Sequence, residues 1–553
     1  MSYFTFLGHP MNLKRCLSFL VVCVFTFFLA LVPTSFYGVH MVNGVEEPIL
    51  TLTQQRVIAI FVFTAMMWIL EVIPTWTTSV VAIVAILLTT SNMGLGFLIS
   101  KQYEPMLQDP AVLAELQAKG IEVSKAVSQA PKMFGLTNYK DVMASFADPV
   151  IMLFLGGFVL AFAATKVGLD VQLAKIMLKP FGTNPKMVLL GVLLVIGTFS
   201  MFMSNTATAA MMLTFLTPVL ATLPKDGGGR ISLALAIPIA ANIGGMGTPI
   251  GTPPNAIALG ALQEAGYTIT FAGWMLRMVP YVILMLVIAW LLLMRLYPFK
   301  AKSIELKIEG QEIKTTPFQK YIVWVTFALT IILWVGEQWF KINSNIVAMI
   351  PFAVFSATGI MKAKHLEHIN WAVLWMVAGG FALGTALNQT GLASTLIKTI
   401  PFASWNALVV MLVGGLICYF LSNFISNSAS ANLVVPILIV VGKALAGNPQ
   451  FESFGGVPAM IIGVAICASL AMCLPVSTPP NALAHSTGMI TTKQMAVVGV
   501  IMGVVGLVLG YLMLIYVGFD PSMDNEIIEF FAPVGQFIAK KGIFVWKFIT
   551  GLF

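Results

Sequence analysis

Ser204-Asn205-Thr206-Ala207-Thr208-Ala209 returns almost unchanged as Ser426-Asn427-Ser428-Ala429-Ser430-Ala431. Each copy is followed downstream by a second shared element, Thr252-Pro253-Pro254-Asn255-Ala256 in one case and Thr478-Pro479-Pro480-Asn481-Ala482 in the other. The chain around these patches is 58% hydrophobic and only 9% charged over 553 residues, against roughly 25% charged in soluble domains. It is therefore read as a polytopic all-α membrane protein. In lipid, polar non-helical backbone is tolerated only where protein buries it or where it lines a cavity. Four such patches in two matched pairs predict two equivalent halves, each interrupted at corresponding places, as in proteins that hold a solute at the midplane.

Apolar runs from Cys16 to Val39, Val57 to Ile73, Thr77 to Thr90, Pro149 to Thr165 and onward to Tyr516 predict about nine to 11 transmembrane helices plus two re-entrant stretches. The first run follows Lys14-Arg15 and has no small-x-small cleavage site, so it reads as a retained signal anchor with a cytoplasmic N-terminus. Cys16, Cys23, Cys418, Cys467 and Cys473 lie in or beside apolar segments at no metal-ligand spacing and read as small hydrophobes. His365 and His368 share a helical face in a lysine-rich loop and read as a solvated pair.

The net charge of +8 is concentrated in particular loops: Lys166 to Lys186, Lys225 to Arg230, Arg295 to Lys320, and Lys362-Ala363-Lys364. The positive-inside rule makes these loops cytoplasmic, so the basic balance reports topology and not a nucleic-acid partner. No nucleophile–base pair, metal cluster or phosphate loop points to an enzyme.

The duplication extends beyond the four patches. Gly156-Gly157-Phe158-Val159-Leu160 precedes the first Ser-Asn by 48 residues, and Gly379-Gly380-Phe381-Ala382-Leu383 precedes the second by 47. Five regions follow: N-terminal spans and an extramembrane loop (1–147), a first repeat (148–297) with a hairpin at 187–223, and a charged linker with two connecting spans (298–368). A second repeat (369–518) with a hairpin at 405–441 and an amphipathic tail (519–553) complete the chain. The first hairpin enters and leaves on the cytoplasmic side. An odd number of spans separates the halves, so the second is expected from the opposite face, giving inverted repeats. The loop from 100 to 148, rich in Glu, Lys, Gln and Ala, predicts short surface helices.

Where the chain reverses at a tip, the second helix begins with unpaired N–H groups that suit an anion, and Ser, Thr or Asn can cap them. The first helix ends at the same tip with free carbonyls that suit a small cation. Ser200 and Ser422 stand one turn before each tip on the same face, each adding an oxygen. Thr252 and Thr478 are expected caps of half-helices that restart at Pro253 and Pro479. No Lys or Arg lies in the patches, so an anion would be held by dipoles, hydroxyls, amides and co-bound cations. Close helix packing is the plain alternative for any single patch. Glu71 lies near a span end and is expected at the interface or in helix packing.

These motifs resemble the divalent anion/sodium symporter family, the INDY-type carboxylate transporters, with an elevator-type architecture of the ion transporter superfamily. The resemblance covers both halves, residues 148 to 518, and the first three spans. It implies a homodimer in a bacterial inner membrane, with a scaffold and a transport domain, and sodium as the co-transported ion. It implies C4-dicarboxylates (succinate, malate, fumarate), related di- and tricarboxylates, or sulfate as substrates. One sodium site would use Ser200, Ser204, Asn205 and the Gly251 carbonyl, the other Ser422, Ser426, Asn427 and the Ser477 carbonyl. Substrate would meet Asn205, Thr206, Thr252 and Pro253 from one half, and Asn427, Ser428, Thr478 and Pro479 from the other. Two positions depart from symmetry: Ser428 replaces the family's threonine, and Thr214 stands where the second copy has Pro436. A sodium-independent anion exchanger and a gated channel remain alternatives at this stage.

Overall fold

The structure, a computed structural model, describes residues 4–6, 9–11, 13–42, 45–224, 227–304 and 315–516. The expected amphipathic tail (519–553), Lys225 and the middle of the charged linker lie outside the described residues. Three helices open the chain: α1 (Leu13–Leu31), α2 (Leu52–Leu70) and α3 (Thr75–Thr89). Thr51 and Gln54 start α2 with a reciprocal capping box, satisfying two of the donors that every helix start leaves open. Glu71 ends α2 in the left-handed region (φ 45°) and is exposed, so it terminates a helix and does not enter a packed site. Short helical turns between residues 96 and 147 enclose a small apolar cluster of Ile99, Leu116, Ala126, Phe134 and Leu136. The loop predicted as surface helices thus carries its own core.

The two halves share the same order of main elements, the second carrying one extra short helix at Pro449–Ser453. The first half runs α4 (Pro149–Val167), α5 (Leu169–Leu178), a 3₁₀ turn at Lys179–Phe181, α6 (Pro185–Phe202), α7 (Asn205–Thr222), α8 (Gly228–Gly245), α9 (Pro253–Glu264) and α10 (Phe271–Leu296). Two connecting helices follow, α11 (Pro317–Val335) and α12 (Met349–Ala357). The second half runs α13 (Trp371–Gln389), α14 (Leu392–Thr399), a 3₁₀ turn at Phe402–Ser404, α15 (Ala407–Phe424), α16 (Asn427–Leu445), α17 (Gly456–Ser469), α18 (Pro479–Ser486) and α19 (Thr492–Tyr516). Gly168 and Gly391 occupy the same place in each half and both adopt left-handed backbone (φ 72° and 75°), which a residue with a Cβ rarely adopts. Among the described residues, nine helices are long and apolar enough to cross a membrane, and shorter apolar helices such as α3 and α17 accompany them. The protein is an all-α polytopic membrane protein.

Both tips fall where the sequence places them. α6 ends at Phe202 and α7 starts at Asn205; α15 ends at Phe424 and α16 starts at Asn427. The helices run slightly beyond the predicted bounds, starting at Pro185 in the first hairpin and ending at Leu445 in the second. Asn184 caps α6 and Pro185 occupies its first position, which explains the earlier start. Thr214 leaves α7 unbroken, its hydroxyl donating to Ala210 O at 3.0 Å, and the proline that interrupts the pattern is Pro218.

The chain divides into two compact units: Met1–Asp148 with Trp371–Gly414 and Ser428–Asn448, and Pro149–Asn370 with Gly415–Asn427 and Pro449–Phe553. In the first, α13 lies against α3 so closely that a Cβ on Gly379 would collide with Ser79. Gln389, at the end of α13, binds the extramembrane turns through Asn138 N–H and Asp141 Oδ2. In the second unit α8 packs along both legs of the first hairpin, and a Cβ on Gly156 would strike the backbone of Ala348.

Candidate functional site

The first tip is assembled by α6, α7, α8 and the unwound segment before α9. Ser204 precedes α7 in extended backbone, and its Oγ accepts the Ala207 N–H at 3.2 Å, so this hydroxyl works as a helix cap. Ser200 Oγ lies 2.6 Å from the Asn205 amide and 2.7 Å from the Ala241 carbonyl oxygen. The same amide atom of Asn205 stands 3.1 Å from the carbonyl oxygens of Gly251 and Ala241. As a nitrogen it donates into this ring of oxygens. As an oxygen it leaves four oxygens sharing the single hydroxyl hydrogen of Ser200, an arrangement that calls for a cation. Ser200, Asn205 and Gly251, expected to act together, are brought together, and Ala241 joins them.

The crowding here explains the local glycines. A Cβ on Gly251 would strike the Gly245 carbonyl, and one on Gly245 would sit 2.5 Å from Asn205 Oδ1. The hairpin and the unwound segment are also joined by Thr248 Oγ1, which donates to Met201 O.

At the second tip the corresponding groups are placed differently. Ser422 is fully buried and Asn427 is 9% exposed. Ser422 Oγ and Asn427 Oδ1 have no nitrogen or oxygen partner, and the Cys418 thiol one turn back is the polar neighbour of Ser422. A buried polar oxygen left in this way is uncommon and calls for an explanation. Here too hairpin and unwound segment are joined, by Asn423 Oδ1 accepting Cys473 N–H at 3.0 Å. Ser477 is buried, and its hydroxyl donates to Leu474 O at 2.6 Å.

The two broken helices share a device that the sequence reading did not assign. Asn255 Nδ2 donates to Gly245 O at 3.1 Å and to Thr248 O at 2.8 Å. Asn481 Nδ2 donates to Met472 O at 2.9 Å and Leu474 O at 3.0 Å. Each asparagine thus fastens carbonyls that the interruption leaves without a helical partner. The fixed spacing from the Pro-Pro pair was the available signal. Thr478 caps α18 as expected, accepting Asn481 N–H at 3.3 Å. Thr252 holds the equivalent position, but its side chain makes no capping bond. The expectation of a threonine cap therefore holds for one copy and is corrected for the other.

Thr206 is exposed, whereas Pro253, Ser428 and Ser426 are half-buried and Thr252 and Thr478 are buried. All of the expected site residues except Ser428 belong to the second compact unit. Two charged side chains, Asp170 and Arg277, are buried among the described residues, and neither belongs to the four patches. Arg277 interrupts the apolar run of α10, a signal that was readable, and its Nη1 donates to Gly273 O. The described residues hold no cluster of three His, Cys, Asp or Glu side chains fit for a metal. His368 stacks on Phe162, and His365 meets the same ring at a tilt.

The model of the sodium:sulfate symporter transmembrane region matches residues 45–519. A sodium-dependent dicarboxylate transporter, SdcS of Staphylococcus saprophyticus, is 32% identical over 401 residues, covering 66% of this chain and 75% of that protein. An uncharacterised transporter of Haemophilus influenzae is 33% identical over 394 residues, 67% of this chain and 81% of its own length. Among solved structures, the YdaH transporter of Alcanivorax borkumensis aligns over 91% of this chain and 98% of its own with a TM-score of 0.50 at 14% identity, a likeness of fold. With residues 45–519 matched, the chain belongs to the sodium:sulfate symporter family of membrane transporters.

Proposed function

We propose that the protein is a secondary active transporter that couples inward sodium movement to symport of a divalent anion, with C4-dicarboxylates such as succinate, malate and fumarate as its substrates. The observation that carries this reading is the oxygen ring of Ser200, Asn205, Ala241 and Gly251, with the orphan oxygens of Ser422 and Asn427 at the matching tip. Unwound carbonyls and hydroxyls of this kind suit a small hard cation. Ser204 and Ser426 complete the two sodium sets, with the Ser477 carbonyl on the second. The anion lies against Asn205, Thr206, Thr252 and Pro253 from one half, and Asn427, Ser428, Thr478 and Pro479 from the other.

Coupling has a physical rationale. The patches contain no basic side chain, so bound cations must offset the cost of bringing a dianion into a low-dielectric site. The relative from Staphylococcus saprophyticus is named a sodium-dependent dicarboxylate transporter, which supports this reading. The protein works as a homodimer in the bacterial inner membrane, with inverted repeats, a cytoplasmic N-terminus and elevator-type alternating access.

Reconstituted protein is expected to accumulate radiolabelled succinate when sodium is higher outside, and to stop when potassium replaces it. Uptake indifferent to sodium but driven by an internal counter-anion would establish an exchanger instead. Sulfate outcompeting all dicarboxylates would keep the coupling and change the substrate.

A further inference from the structure

Three buried side chains beside the second broken helix orient one another. Asn481 spends its amide nitrogen on the carbonyls of Met472 and Leu474, so its amide oxygen faces the other way. That oxygen accepts from Asn242 Nδ2 at 3.1 Å, which fixes the Asn242 amide. The same nitrogen donates to Thr478 Oγ1 at 3.2 Å. Thr478 Oγ1 also accepts the Asn481 backbone N–H at 3.3 Å. A hydroxyl has two lone pairs and one hydrogen. Both lone pairs of Thr478 are engaged, so its hydrogen is directed away from both donors.

The halves are unequal here. Counting back from Asn255 and Asn481 by the same 13 residues gives Asn242 in the first copy and Ala468 in the second. Asn242 lies in α8 of the first half yet acts on the threonine of the second. The reciprocal contact from position 468 to Thr252 has no donor. Asn242 is 1% exposed, and its own Oδ1 has no partner. An alanine at 242 would avoid that cost, so packing alone does not account for the asparagine.

We propose that Asn242 is a positioning residue that presets the Thr478 hydroxyl as a hydrogen-bond donor to an oxyanion oxygen of the transported dianion. The proposal rests on the reading of Thr478 as an anion contact given above. It makes the second half-site a fixed donor, while Thr252 keeps a free rotor.

The test uses the full-length protein with succinate, citrate and sulfate at saturating sodium, measuring anion affinity by thermal shift and transport KM. Sodium-only stabilisation is measured in parallel. Asn242→Ala is expected to weaken anion binding about tenfold, the scale of one hydrogen bond to a charged group, with the sodium-only response unchanged. Asn242→Asp, which accepts where the native amide donates, is expected to weaken it further. On a Thr478→Val background Asn242→Ala should add nothing, because the hydroxyl it orients is gone. Should Asn242→Ala fail to fold, Asn242→Ser supplies the contrast: it retains a donor, and its anion affinity should exceed that of Asn242→Asp. Equal losses in the native and Thr478→Val backgrounds would overturn the proposal. So would anion affinities indifferent to all substitutions at 242. A wild-type protein that responds to sodium but to none of the three anions would instead remove the anion reading of the site, and the inference with it.

Discussion

The two tips carry nearly the same residues and solve their hydrogen bonding in opposite ways. At the first, the Asn205 amide turned nitrogen-inward donates to Ser200 and to the Ala241 and Gly251 carbonyls. Without a cation the half-site is thus closed by protein groups, and a cation would meet the opposite face of the amide. At the second, Ser422 Oγ and Asn427 Oδ1 are buried without such partners. The order of elements is duplicated but the bonding at the tips is not. A self-satisfied site gives up protein contacts when a cation enters, whereas a site of orphan oxygens gains contacts it did not have. The second half-site is therefore expected to profit more from sodium.

The sharpest way to break this comparison is to truncate the two asparagines. Asn205→Ala and Asn427→Ala should each lower uptake at least about 100-fold while the protein still folds. They should part company in sodium-free stability. Asn205→Ala leaves the first ring without its bridging amide and should lower unfolding free energy by about 1–3 kcal/mol. Asn427→Ala removes an oxygen that had no partner and should leave stability unchanged or slightly raised. Equal destabilisation, read by thermal unfolding in potassium, would mean that the tips are bonded alike.

A smaller effect is expected one turn upstream. Ser200→Ala and Ser422→Ala should each raise the sodium concentration for half-maximal uptake by about tenfold. Only Ser200→Ala should cost stability without sodium, about 1 kcal/mol, because only Ser200 loses existing bonds. The smallest effect is expected at Ser428. Ser428→Thr restores the methyl that Thr206 carries and should shift the ratio of succinate to citrate uptake by a few-fold, the worth of about one methyl in a pocket, with sodium dependence intact. An unchanged ratio would remove Ser428 from the substrate contacts.

Much of the fold was legible because its signals are local. The Pro-Pro restarts act within a few residues, and α9 and α18 begin where the pattern places them; the caps Thr51-Gln54 and Asn184-Pro185 are equally local and could have been read. Ser200, Asn205 and Gly251 were legible as a set through the resemblance of the repeated motif to a known family. Other features depend on pairs far apart in the chain. Ala241 enters through its backbone carbonyl, which no side-chain type announces. Asn242 looks like one more polar residue in an apolar helix until its partners, more than 230 residues away, are located. Thr252 and Thr478 have the same motif, and only the surrounding side chains decide which of them caps its helix.

Asn255 and Asn481 have a mechanical consequence. Each ties the carbonyls before a break to the first turn of the helix after it, and Trp274 Nε1 adds a further tie to Met246 O in the first copy. An interruption fastened in this way is a stiff corner and not a hinge. In any rearrangement of this region the fragments flanking each break should move as one body, and bending should fall on joints that lack such a strap.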